Sequence, residues 1–178
     1  MKTEQASPAG TSLPDPLPPD TGKAVDQVLK LLQSGGTIGQ YLGHSDESME
    51  ALYSLGYSLY GQGKYKEAER AFGALLVCNH TDRRVYQSYA ACLQMQHRYE
   101  DALRYYAISA AMNLLDPAPV FYSAECLLAL DKREDALSSL RHMLDMPRRT
   151  GDEKLFDRAR GLLQLLEPAP AAGATASN

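Results

Sequence analysis

Three stretches of this chain, Met49–Asp82, Arg83–Asp116 and Pro117–Thr150, lie beneath one another without a gap at a fixed spacing of 34 residues. Leu52, Tyr86 and Val120 share a column, as do Leu55, Tyr89 and Ser123. The eighth place is always small (Gly56, Ala90, Ala124), and the twentieth is always alanine (Ala68, Ala102, Ala136). Leu59, Leu93 and Leu127 coincide, and so do Phe72, Tyr106 and Leu140. Within each stretch apolar residues recur at three and four rather than at two, which is the period of a helix and not of a strand. A unit this short cannot bury its apolar face alone, so neighbouring units must stack to close a core. The small residues then mark where two helices approach closely, and the large ones fill the space between units.

A period of 34 with these small positions is the tetratricopeptide pattern, one helix pair per unit. The fold class that follows is all-α: a solenoid of three helix pairs, with an N-terminal helix and a C-terminal capping helix. Residues 22–34 place Val25, Val28, Leu29 and Leu32 on one face, and Gly35-Gly36 supplies the stop, because glycine adopts a left-handed backbone at little cost. Ser45, with Asp46 and Glu47 behind it, suits the start of the next helix. A last helix is expected near 152–166, presenting Leu155, Phe156, Leu162, Leu163 and Leu166. Five of the ten prolines lie in the first twenty residues. Residues 1–20, and the tail from Pro168, therefore read as disordered, since such segments bury too little apolar surface to offset their ordering entropy. The folded domain is placed at 21–167.

Composition removes several function classes. A net charge of −4 and a pI near 5.5 provide no clustered positive field for nucleic acid. No apolar run approaches the roughly 18–20 residues of a membrane span. The N-terminus lacks the basic start and apolar stretch of a secretory signal, and three cysteines without obvious pairing point to the reducing cytoplasm. Gly61-Gln62-Gly63-Lys64 lacks the spacing and the Ser or Thr of a phosphate loop, and falls on the turn between paired helices. Cys92 and Cys126 share a column and read as small buried hydrophobes. Cys78 and His80 stand without a second pair, so no metal site is expected. No cofactor is implied.

The informative surplus is aromatic: eleven tyrosines against three phenylalanines and no tryptophan. The first helix of the first unit carries a packing stripe (Leu52, Leu55, Gly56, Leu59) and beside it a second stripe, Tyr53, Tyr57 and Tyr60. In a tetratricopeptide stack the first helices line the concave side, and the fifth, ninth and twelfth places of a unit face the groove. These places hold Gln87, Ala91 and Gln94 in the second unit, and Phe121, Glu125 and Leu128 in the third. The expected groove is aromatic at one end, small and polar in the middle, and mixed apolar at the other. Tyrosine offers a broad apolar face with a polar tip at low entropic cost, so such a groove suits an extended apolar peptide. The competing use of the stripe is packing against the helix at 22–34. Glu125 reads either as a solvated charge or as a partner for a cargo amide or cation.

Gly35-Gly36-Thr37, the run from Leu52 to Ala68, and Ala124-Glu125-Cys126-Leu127-Leu128 together resemble the class II chaperones of bacterial type III secretion, the low-calcium-response (LcrH/SycD) family. The resemblance covers roughly residues 25–150. It implies a cytoplasmic bacterial chaperone that binds the hydrophobic translocator proteins before export and keeps them soluble. An extended cargo segment would lie in the concave groove, with Tyr53, Tyr57 and Tyr60 matching the family's groove tyrosines. It further implies a homodimer through the N-terminal helix and, in some members, assistance to a transcriptional activator. The proline-rich N-terminal tail and the extended C-terminal helix depart from the family pattern.

Other functions fare worse on the residues. An adaptor that grips a C-terminal carboxylate needs a clamp of Lys, Asn and Arg, whereas the corresponding places hold Tyr53, Tyr57, Ser88, Ala118 and Tyr122. No catalytic set is brought together by the repeat, so an enzyme is not expected. A generic tetratricopeptide adaptor or scaffold is the remaining alternative.

Overall fold

The structure, a computed structural model, describes residues 21–167. The two tails read as disordered lie outside the described residues. Among the described residues all regular structure is helical. The chain divides into two compact units, one ending at Gly36 and one beginning at Thr37.

The first unit contributes α1, Thr21–Gln33. It ends where the glycines stand: Gly35 has a φ of 84°, and the Gly36 N–H closes on the Leu31 carbonyl at 2.8 Å. No residue of α1 is buried, and Val25 and Leu29 keep about half their surface exposed.

The second unit opens with α2, Ile38–Tyr41, a single turn that the sequence did not announce. It is held by a reciprocal cap, in which the Thr37 hydroxyl accepts from the Gln40 N–H at 3.3 Å and the Gln40 side chain accepts from the Thr37 N–H at 3.0 Å. Three helix pairs follow: α3 (Asp46–Gly61) with α4 (Tyr65–Cys78), α5 (Arg83–Met95) with α6 (Tyr99–Met112), and α7 (Pro117–Ala129) with α8 (Arg133–Asp145). The capping helix α9, Glu153–Leu166, rests chiefly on α8.

Each pair is built by the same local chemistry. Ser45, Asp82 and Asp116 cap the first helices by accepting N–H bonds from Ser48, Arg84 and Ala118. The turn inside each pair uses one left-handed residue in one column: Gly63 (φ 76°), His97 (φ 61°) and Asp131 (φ 60°). In every case the next residue's N–H reaches back five positions, from Lys64 to Leu59, Arg98 to Leu93 and Lys132 to Leu127. This is a Schellman closure, and it satisfies carbonyls that a helix end would otherwise leave bare. Gly61 thus closes α3, and Gln62–Lys64 is the turn.

The repeat columns form the core. Ala68, Ala102 and Ala136 are fully buried, as are Ala90 and Ala124. Gly56 must be glycine, or yield elsewhere, because a Cβ there would stand 2.9 Å from the Phe72 ring. Phe72, Tyr106 and Leu140 seal the three pairs, and Phe156 and Ala159 of α9 close the end against the third. Leu55 corrects the sequence reading: expected to pack, it is 52% exposed. Tyr89, the same column one unit on, lies against the preceding pair. As the first repeat of the stack, α3 has no preceding pair to cover that face.

Candidate functional site

The first helices of the three pairs and the inward residues Phe72 and Tyr106 of their partners enclose a trough of about 520 Å3. Tyr53, Tyr57 and Tyr60 of α3 form one wall, Gln87, Ala91 and Gln94 of α5 lie along the middle, and Tyr122 and Glu125 of α7 form the far side. The three tyrosines are not equivalent. Tyr53 is half-buried: its ring meets Phe72 edge-on at 5.5 Å, its hydroxyl lies 3.2 Å from Ser88 Oγ, and the Arg84 guanidinium sits 4.7 Å above it. Arg84 is itself anchored to Glu50 at 2.9 Å and Asp82 at 2.7 Å. Tyr60 leans on Tyr65 at 5.3 Å, and burial raises its phenol above the ordinary value. Tyr57 stands free, 67% exposed.

The middle of the trough is polar because its side chains bond one another. The Tyr106 hydroxyl donates to Gln94 Oε1 at 2.7 Å, and Gln94 Nε2 donates to Glu125 Oε2 at 3.2 Å. Arg158 of α9 donates to the other oxygen of Glu125 at 2.8 Å. Tyr106 stacks on Tyr122 at 5.8 Å, so one aromatic pair floors the trough between the second and third units. Leu128 falls in an adjoining depression of about 400 Å3, which shares Gln94, Met95 and Glu125 with the first and is bounded by Leu162 of α9.

Seven of the nine groove positions read from the sequence therefore line the main trough, and Leu128 lines its continuation. Phe121 is a correction. It is 1% exposed, packed in the third pair's core beneath the Arg158 guanidinium at 4.7 Å, with Tyr122 taking the trough-facing place. The repeat register places Phe121 on the inner curve, but α9 covers that curve at the end of the stack. Tyr106 and Tyr122 were not singled out. The usable signal for Tyr106 was a hydroxyl in an otherwise apolar column, which requires a partner when buried.

Elsewhere, burial pushes the thiols of Cys92 and Cys126 up to about 12, which makes them poor nucleophiles and poor metal ligands at neutral pH. Among the described residues no group of three His, Cys, Asp or Glu side chains gathers for a metal ion. No described helix is long and apolar enough to cross a membrane.

A stack of helix pairs with an aromatic trough on its inner curve defines a tetratricopeptide protein, and residues 49–79 and 87–113 match the tetratricopeptide repeat family. The Low calcium response locus protein H of Yersinia pestis is 38% identical over 109 residues, which are 61% of this chain. The chain spans 65% of the length of that curated relative. The structure of the Yersinia enterocolitica type III secretion translocator chaperone SycD superposes with a TM-score of 0.70 at 32% identity, over 73% of this chain and 98% of SycD. SycD in complex with a peptide of the translocator YopD superposes at 0.65, with 32% identity over 68% of this chain and 94% of that one. The chain belongs to the family of class II type III secretion chaperones that includes SycD.

Proposed function

We propose that this protein is a cytoplasmic chaperone of type III secretion, which holds an extended apolar segment of a hydrophobic translocator in the trough until export. The observation that carries the reading is the row Tyr53, Tyr57 and Tyr60 bordering an open trough, with Tyr57 two-thirds exposed on a helix whose packing does not need it. An extended strand laid along the trough meets aromatic faces at one end and amide or carboxylate groups in the middle, so main-chain hydrogen bonds and side-chain burial act together. Sequestering the segment raises cargo solubility by mass action. The binding groups are Tyr53, Tyr57, Tyr60, Gln87, Ala91, Gln94 and Glu125, with Leu128 at the far end. No step in this role is catalytic. The unburied apolar residues of α1, Val25 and Leu29, support a homodimer through that helix.

The test is co-expression with a translocator that bears long apolar stretches, followed by mass measurement in solution. A soluble complex of defined mass, absent when the translocator is expressed alone, is expected. A translocator that stays insoluble with the chaperone present refutes the role.

A further inference from the structure

We infer that α9 sets the charge selectivity of the trough through Arg158, so that the trough accepts a neutral apolar residue opposite Glu125 and disfavours a cationic one. The inference rests on the reading of the trough as the cargo site and adds to it the chemistry of the occupant. Among the described residues lining the main trough, Glu125 is the single acid. A half-buried carboxylate facing a peptide would attract lysine or arginine and penalise an apolar side chain, which strips its water without replacing it. Here both oxygens are already engaged, one by Gln94 at 3.2 Å and one by the Arg158 guanidinium at 2.8 Å. The pair sums to zero charge, and the trough floor presents no unpaired anion.

Arg158 is held in this position by a second contact, its guanidinium 4.7 Å over the Phe121 ring. α9 does not depend on the ion pair to stay in place. Phe156 and Ala159 are fully buried, Leu155, Leu162, Leu163 and Leu166 pack on the same core, and Arg141 pairs with Glu167 at 2.8 Å. What Arg158 adds beyond those contacts is neutralisation of Glu125. It acts through Glu125 and is a positioning residue. The only other charge lining the main trough, Arg84, is also paired, to Glu50 and Asp82, so no unpaired cation faces the peptide. Each charge of the trough is thus paired with partners outside its lining, which suits a site for neutral apolar chain.

The experiment uses the full chain and two fluorescent nine-residue peptides of leucine, proline and alanine. They differ only at the centre, one bearing norleucine and the other lysine. Anisotropy titrations at low ionic strength provide the ratio of their Kd values. The wild type should favour the norleucine peptide. Arg158→Gln should shift the ratio toward the lysine peptide by about three- to fivefold, the scale of one partly exposed ion pair. Arg158→Lys should restore most of the wild-type ratio, and adding Glu125→Gln to Arg158→Gln should restore it fully. High salt should shrink the shift. A ratio unchanged in Arg158→Gln, with peptide still bound, overturns the role of α9 and leaves the trough as the cargo site. Failure of the wild type to bind either peptide overturns both. A shift that persists with Glu125→Gln would place the effect elsewhere and also overturn the inference.

Discussion

Replacing Tyr57 by alanine separates binding from folding more cleanly than any other change in the trough. The side chain is 67% exposed. A tyrosine presents roughly 150–200 Å2, so on the order of 100–130 Å2 is left for a ligand to cover. At about 25 cal/mol per Å2 this is worth about 2.5–3.3 kcal/mol. Ordering the ring and the cargo side chain against it costs about 1 kcal/mol, leaving a net of about 1.5–2 kcal/mol. The expected loss is a roughly 10- to 30-fold weaker Kd. Fold stability should change by no more than about 0.5 kcal/mol, because the ring covers little of the protein's own core. Tyr53 offers no such separation: its contacts with Phe72, Ser88 and Arg84 tie it to the fold, so Tyr53→Ala should lower both stability and affinity. Calorimetric titration of a translocator's chaperone-binding segment, with helicity followed by circular dichroism, measures both quantities. A Tyr57→Ala protein that is fully helical and binds within twofold of the wild type would show that the exposed ring meets no cargo.

Three further outcomes are expected. Gly56→Ala drives a methyl to 2.9 Å from the Phe72 ring, which is 1% exposed and packed in the core of the first pair. Overpacking of about 1–3 kcal/mol, set against a helix-propensity gain of about 1 kcal/mol, should lower Tm by a few degrees in a thermal melt. Iodoacetamide at pH 8 should leave Cys92 and Cys126 unmodified in the folded protein, their thiols being pushed up to about 12 by burial, and should label both in denaturant; mass spectrometry reads the sites. Glu69 concerns acid stability. Burial alone would raise its carboxyl, but bonds from Gln96 at 2.8 Å, Arg98 at 2.8 Å and Tyr89 at 3.3 Å bring it below the usual range. A carboxyl lower in the folded than in the unfolded state stabilises above the ordinary value of 4.5, and that contribution fades as pH falls through the folded value. Denaturant titrations should therefore show stability declining below about pH 4.5, less steeply in Glu69→Gln; equal slopes would discount this carboxylate.

What the sequence made legible was whatever the 34-residue period repeats. The buried alanines, the paired helices and their turns follow from columns that recur, and the tyrosine wall from the groove-facing register that those columns set. What it concealed lies where the repetition stops. Leu55 loses its cover because no pair precedes it, and Phe121 gains cover because α9 follows it. The turn of α2 depends on two side chains, Thr37 and Gln40, too short a pattern to stand out from a loop. The polar line from Tyr106 to Arg158 joins side chains of α5, α6, α7 and α9, and no local signal pairs them.

The shared left-handed joint at Gly63, His97 and Asp131 shows which property of the turn is fixed. Glycine, an imidazole and a carboxylate have no chemistry in common, yet all three accept the same mirror-image backbone. What the three turns share is handedness, met by different side chains. A library randomised at these three codons should retain glycine and asparagine and purge valine and isoleucine, whose branched Cβ atoms resist that conformation.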